Sequence, residues 1–128
     1  KALKRIIDAA TGDVPVLCFV DEVLRGTNTV ERIAAASQIL QQLSENGVFC
    51  FAATHDIELT KLLENGYENY HFEERIEEND VKFNYLLEKG RATSRNAIKL
   101  LAVLGYEESI IQKAEQRANN FLRSGEWK

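Results

Sequence analysis

Two neighbouring carboxylates, Asp21 and Glu22, follow directly on the uncharged run VLCFV (Val16 to Val20). A second apolar run, VFCFAAT (Val48 to Thr54), leads into His55 and Asp56. A carboxylate at the end of a buried strand can hold Mg²⁺ directly or through its water shell, because that cation binds through few protein oxygens and keeps several waters. A second carboxylate beside it can orient or deprotonate an attacking water. Together these residue types suit Mg²⁺-assisted nucleotide hydrolysis. Adjacent acids at a strand end also occur as a plain helix-flanking charge pair, and a lone strand-end histidine is commonly structural. The pairs acquire meaning only from the elements that place them.

Those elements can be read from periodicity. Ala2 to Ala10 is a short amphipathic helix, punctuated by Thr11-Gly12-Asp13 and Pro15. Val16 to Val20 does not alternate, which predicts a strand buried on both faces. The next helix carries an apolar stripe at Ile33, Ala36, Leu40 and Leu43, with Asn28 and Glu31 spaced as a capping pair and Asn46-Gly47 as its stop. Val48 to Thr54 is the second strand. Strand, helix, strand at this spacing is a parallel βαβ unit, and in such sheets ligands sit beyond the carboxyl ends of the strands. Asp21-Glu22 and Thr54-His55 both fall on that edge and are expected to face one ligand.

Downstream of a short helix from Ile57 to Leu63, the pattern changes. Tyr70, Phe72 and Ile76, then Val81, Phe83, Tyr85 and Leu87, alternate with polar residues around Glu78-Asn79-Asp80. This predicts an antiparallel hairpin on the edge of the sheet. Glu68, Glu73, Glu74, Glu77 and Glu78 crowd its exposed positions and read as a solvated face that discourages edge pairing. His71 is taken as an ordinary strand residue. Stripes at Ala97, Leu101 and Leu104, and at Ile111, Ala114, Ala118 and Phe121, predict two closing helices. Residues 94–123 are read as a helix-turn-helix docking or dimerisation element rather than a DNA reader, because the stripes are apolar and Glu107-Glu108 sit at the turn.

Composition narrows the function classes. The chain has 128 residues, 45% of them hydrophobic and 28% charged, as expected for one ordinary globular domain. A formal net charge of −4 argues against this segment being the main phosphate-neutralising surface for nucleic acid. No apolar run is long enough for a membrane span, and the first residues lack a signal-peptide apolar region, so no membrane contact is expected of this segment. Cys18 and Cys50 sit inside apolar strand runs without metal-ligand or CxxC spacing, and read as buried thiols of a reducing, cytoplasmic compartment.

The strings DEVLRGTNTVER and ATHDIELT resemble the nucleotide-binding domain of the MutS family, within the ABC-type ATPases, whose usual patterns are DE-x-GRGT-ST and ATH-x-x-ELT. GRATSRNAIKLLAVLGY (Gly90 to Tyr106) is similar to the family's segment before its terminal helices, so the resemblance runs from about Ala2 to Leu122. It implies an α/β, P-loop NTPase-like half domain: a parallel βαβ core, an antiparallel edge hairpin and two C-terminal helices. Residue by residue, it implies that Asp21 is the Walker B aspartate supporting Mg²⁺ and Glu22 the base for water. Arg25, Gly26, Thr27, Asn28 and Thr29 correspond to the D-loop that crosses the dimer interface. His55 corresponds to the switch histidine near the γ-phosphate of ATP, with Thr54 beside it.

The sequence departs from the family pattern at Leu24, where glycine is usual, and at Asn28, where serine is usual. NTVER and TSRNA point to a divergent MutS-like branch. The phosphate-cradling G-x-x-x-x-G-K-[ST] string is missing from residues 1–128, and the signature element that meets the opposite subunit's nucleotide is not visible either. The expectation is therefore the C-terminal part of a longer, homodimeric ATPase that couples ATP hydrolysis to DNA binding through upstream domains, in mismatch repair or related DNA processing. Alone, this segment is expected to bind ATP poorly and to be inactive. Two alternatives stand beside it: a non-catalytic dimerisation or regulatory module with an ATPase-derived fold, and another ABC-type DNA-maintenance ATPase.

Overall fold

A computed structural model describes residues 2–77, 80–93 and 96–127. Glu78 and Asn79 of the expected hairpin turn, and Ser94 and Arg95 at the start of the expected docking element, lie outside the described residues. The chain divides into two compact units, Lys1–Asn69 and Tyr70–Lys128.

In the first unit the order is α1 (Ala2–Ala10), β1 (Leu17–Asp21), α2 (Thr29–Glu45), β2 (Phe49–Ala53) and α3 (Ile57–Leu62). β1 and β2 pair in parallel, with Leu17 opposite Phe49 and Asp21 opposite Ala53, so the βαβ expectation holds. Asn28 caps α2 by accepting from the N–H groups of Val30 and Glu31, and the helix stops at Asn46 and at Gly47, whose φ is 71°. Ala36, Leu40 and Leu43 of the expected stripe are buried together with Cys18, Val23, Val48, Leu59 and Leu63, and Ile33 packs against them. α1 contributes Leu3, Ile6, Ile7 and Ala10 to the same cluster.

Two-sided burial of the strands is not what forms. Cys18 is buried, but Leu17, Phe19, Phe49 and Phe51 are 59–73% exposed on the other face, where Phe19 stacks on Phe51 with ring centroids 5.3 Å apart. The runs are apolar on both faces and covered on one, so unbroken apolarity reported a strand without reporting its shielding. On the covered face the thiols of Cys18 and Cys50 lie 3.3 Å apart and are free. The Tyr67 hydroxyl donates to the Leu40 carbonyl at 2.8 Å, tying the end of this unit to α2.

The second unit contains β3 (Tyr70–Glu77), β4 (Asp80–Lys89), α4 (Ala97–Val103) and α5 (Glu108–Ser124). β3 and β4 form the expected antiparallel hairpin, but as a two-stranded sheet of their own rather than as an edge addition to β1 and β2. Glu73, Glu74 and Glu77 along β3 are of the kind that keeps a strand from adding to another sheet. Register shifts between Phe72 and Glu74, where Phe72 faces Leu87 and Glu74 faces Phe83, so β4 bulges at Asn84 to Leu86 and the expected alternation through Tyr85 is interrupted. His71 faces Glu88 in the ladder and its Nδ1 hydrogen-bonds the Gly90 carbonyl, as befits a strand residue. In α5, Ile111, Ala114, Ala118 and Phe121 are the shielded positions, as their spacing predicts. In α4 the partly shielded positions are Ile98, Leu101 and Val103, while Ala97 and Leu104 of the expected stripe are exposed. Trp127 stacks on Phe121 at 4.3 Å beyond the Gly125 cap, which ties the residues after α5 back to the helix.

Two outcomes follow from this core. Leu43 has no exposed surface, and Leu43→Ala leaves a cavity that should lower stability by about 2–5 kcal/mol in a denaturant titration. Burial, then the neighbouring Cys50, push the Cys18 thiol from its ordinary 9.0 up to about 11. The fold therefore favours the protonated thiol. That contribution is complete below about pH 9 and is lost as pH climbs through about 11, so stability should fall over that interval and fall less in Cys18→Ala.

Candidate functional site

The site begins with register. Because Asp21 and Ala53 are partners, the two strands end level, and the ladder runs one step further through a bond from the Glu22 N–H to the Ala53 carbonyl at 3.0 Å. The segments Glu22 to Asn28 and Thr54 to Asp56 thus leave the sheet side by side.

Backbone geometry then aims the side chains. Glu22 takes a φ of 58°, Leu24 of 59° and Gly26 of 81°, three left-handed residues in one short loop. For a side chain other than glycine this conformation costs about 1–2 kcal/mol per residue, and such strain gathers at functional loops. Val23 between them is buried and anchors the loop to the core. The turn at Glu22 brings its carboxylate toward the second segment: Glu22 Oε1 accepts the His55 N–H at 3.1 Å and lies 3.7 Å from His55 Nε2. Glu22 is only 20% exposed, whereas the His55 ring is 97% exposed and faces solvent.

Asp21 takes a different position. Its carboxylate is 79% exposed and accepts from Arg25 Nη2 at 3.0 Å. A surface pair of this kind contributes little and exchanges readily. Arg25, Gly26, Thr27, Asn28 and Thr29 are all exposed, with Asn28 occupied as the cap of α2. Thr54 Oγ1 accepts the Asp56 N–H at 3.0 Å, closing a tight turn around His55. Asp21, Glu22, Thr54 and His55 therefore share one strand edge, as their spacing predicts, with Arg25 joined to them through Asp21.

Sequence reasoning passed over Arg32 and Asp56. Arg32 Nε and Nη2 donate to Asp56 Oδ2 and Oδ1 at 2.9 and 2.6 Å, a bidentate pair between α2 and the residue before α3. The available signal was a cation near the positive end of a helix, where the dipole disfavours it unless a carboxylate answers it.

Among the described residues, no group of three or more His, Cys, Asp and Glu side chains is arranged to hold a metal ion. Asp21, with Glu22 beside it, nevertheless suits a largely hydrated Mg²⁺, which takes one or two carboxylates and completes its shell with water and phosphate oxygens. The arrangement can supply an outer carboxylate for a cation, a sheltered carboxylate for a proton, and an exposed imidazole beside it.

The strain at Leu24 can be tested. Leu24→Gly should leave the melting temperature unchanged or raised, whereas Leu24→Val, β-branched at a positive φ, should lower it in thermal denaturation.

A family model, MutS domain V, matches residues 1–122. The chain is 35% identical over 103 residues to a DNA mismatch repair protein MutS from Aquifex pyrophilus, covering 78% of this chain and 12% of that protein. It is 34% identical over 115 residues to DNA mismatch repair protein MutS 2 from Haloarcula marismortui, covering 88% of this chain and 12% of that protein. A DNA mismatch repair protein MutS from Natronomonas pharaonis is 32% identical over 117 residues, covering 89% and 13% respectively. The chain thus spans only a small part of the length of these curated relatives. The match over nearly every residue, including both strand-end motifs, shows that the chain belongs to the MutS domain V family.

Proposed function

We propose that this chain is the C-terminal part of a MutS-type ATPase domain, and that it supplies the water-activating side of ATP hydrolysis in a longer protein. The observation that carries the reading is the bond from the His55 N–H to Glu22 Oε1 at 3.1 Å, which joins the two family motifs into one site. The names of the relatives point the whole protein toward DNA mismatch repair or related DNA processing, with DNA held by other domains. This is a cytoplasmic role. No helix among the described residues is long and apolar enough to cross a membrane.

Each residue then has a task. Asp21 would hold Mg²⁺, a cation that when bound neutralises charge on the phosphate oxygens. Glu22 orients the attacking water and takes its proton, and its partial burial keeps that carboxylate from being screened by bulk solvent. His55, whose backbone N–H is held by Glu22 while its ring stays exposed to solvent, would reach the outer phosphate of ATP. Thr54 holds the turn that presents it. Arg25 to Thr29 line an exposed loop suited to sensing a second subunit, and α4 with α5 offers the docking element of a homodimer. Residues 1–128 hold no phosphate-cradling loop, so ATP binding depends on other parts of the protein.

Glu22→Gln in the full-length protein should lower kcat for ATP hydrolysis by about 10²–10⁴-fold while leaving the Kd for ATP within about threefold. Steady-state turnover and calorimetric titration measure the two separately. Unchanged turnover would remove Glu22 as the base and favour a regulatory module built on the same fold.

A further inference from the structure

The pair formed by Arg32 and Asp56 is embedded where the two motifs meet: Arg32 lies three residues beyond the pattern DE-x-GRGT-ST, and Asp56 fills the first variable position of ATH-x-x-ELT, so neither is one of the residues those patterns specify. Arg32 stands one turn into α2, just after the exposed loop Arg25 to Thr29, and Asp56 follows His55 directly. The side chains are only 21% and 13% exposed, far more sheltered than Asp21 and Arg25 at the same edge. Both carboxylate oxygens of Asp56 are taken by the guanidinium, at 2.6 and 2.9 Å. Asp56 is the residue preceding α3, where an aspartate ordinarily accepts from the first helical N–H groups, yet its side chain makes no such cap. The carboxylate has been diverted from its local task to a partner 24 residues away.

The consequence falls on His55. Its N–H is held by Glu22 at 3.1 Å, and the side chain of the next residue is held by Arg32. Arg32 also lies within electrostatic range of Glu22. Its positive charge is therefore felt by both carboxylates, bonded to Asp56 and acting on Glu22 through space.

We propose that Arg32 and Asp56 are positioning residues that lock the His55 turn onto the start of α2, so that the exposed loop before α2 and the histidine segment move as one piece. This rests on the reading of Glu22 and His55 given above. A shift of the Arg25 to Thr29 loop by a second subunit would then be carried to His55 through a rigid two-point contact rather than through flexible chain.

The test uses the full-length protein with Arg32→Met, Asp56→Asn, the double variant and Glu22→Gln. Amide hydrogen exchange is read at His55 and, as an internal control, at Phe19 and Phe51 in the strands. In each single variant the His55 amide should exchange roughly tenfold faster with the strand amides unchanged. Turnover should fall about 10- to 100-fold in kcat with KM for ATP nearly constant. The double variant should match the singles rather than add them, because the two residues act as one unit. Unaltered exchange at His55, or additive effects in the double variant, would overturn the proposal. So would loss of protection at His55 and both strands together, which marks a merely structural pair. If Glu22→Gln leaves turnover intact, the catalytic reading falls, and the exchange at His55 still decides whether the pair fixes that turn.

Discussion

The parallel register of β1 and β2 is the constraint on which the site depends. With Asp21 opposite Ala53, the strands end at the same level, and the Glu22 N–H extends the ladder to the Ala53 carbonyl. A slip of one residue would turn Asp21 onto the packed face and carry Glu22 away from His55. Register in turn is held by the core beneath: Cys18 and Cys50 meet on the side packed against α2, with Leu40 and Leu43 below them. Small thiol side chains at that position let the helix approach closely. Chemistry at the rim is thus set by packing several residues away.

The loop after β1 stores strain where the side chains must be aimed. Glu22 and Leu24 both adopt left-handed backbone, and only Gly26 does so without steric cost. The buried Val23 between them and the bond from the His55 N–H to Glu22 hold the loop in that shape. The glycine usual in the family at the position of Leu24 would relieve one strained residue. Its replacement by leucine leaves a stiffer loop, with fewer backbone states open to Arg25 and the residues that follow.

Local features of the fold were legible because local physics decides them. Asn28 caps α2 and Asn46-Gly47 ends it through contacts within a few residues, and the stripe through Ala36, Leu40 and Leu43 shows its buried face in its own helical period. The shared edge of Asp21-Glu22 and Thr54-His55 was legible because a βαβ unit has one topology. Three things were not. The cover of each strand face depends on what lies across it, and Phe19 and Phe51 are apolar yet open. The hairpin's independence from the first sheet and the bulge at Tyr85 depend on tertiary pairing that alternation does not encode. The Arg32–Asp56 pair spans distant segments: a cation in the first turns of α2 calls for a carboxylate, but nothing local picks Asp56 out among 20 Asp and Glu residues.

Charge at the strand edge is arranged by mobility. Three carboxylates lie close together, and each has a partner: Asp21 has Arg25, Glu22 has His55, Asp56 has Arg32. Their shielding differs from pair to pair. Asp21 and Arg25 are mostly exposed, so their contact opens at small cost and both can turn to a cation or a neighbouring chain. Glu22 is sheltered on the side of the fold while its imidazole neighbour stays in solvent. Arg32 and Asp56 are enclosed and doubly bonded, and breaking such a pair strands a poorly hydrated charge. An edge built this way lets its outer members exchange partners while its inner pair holds the frame.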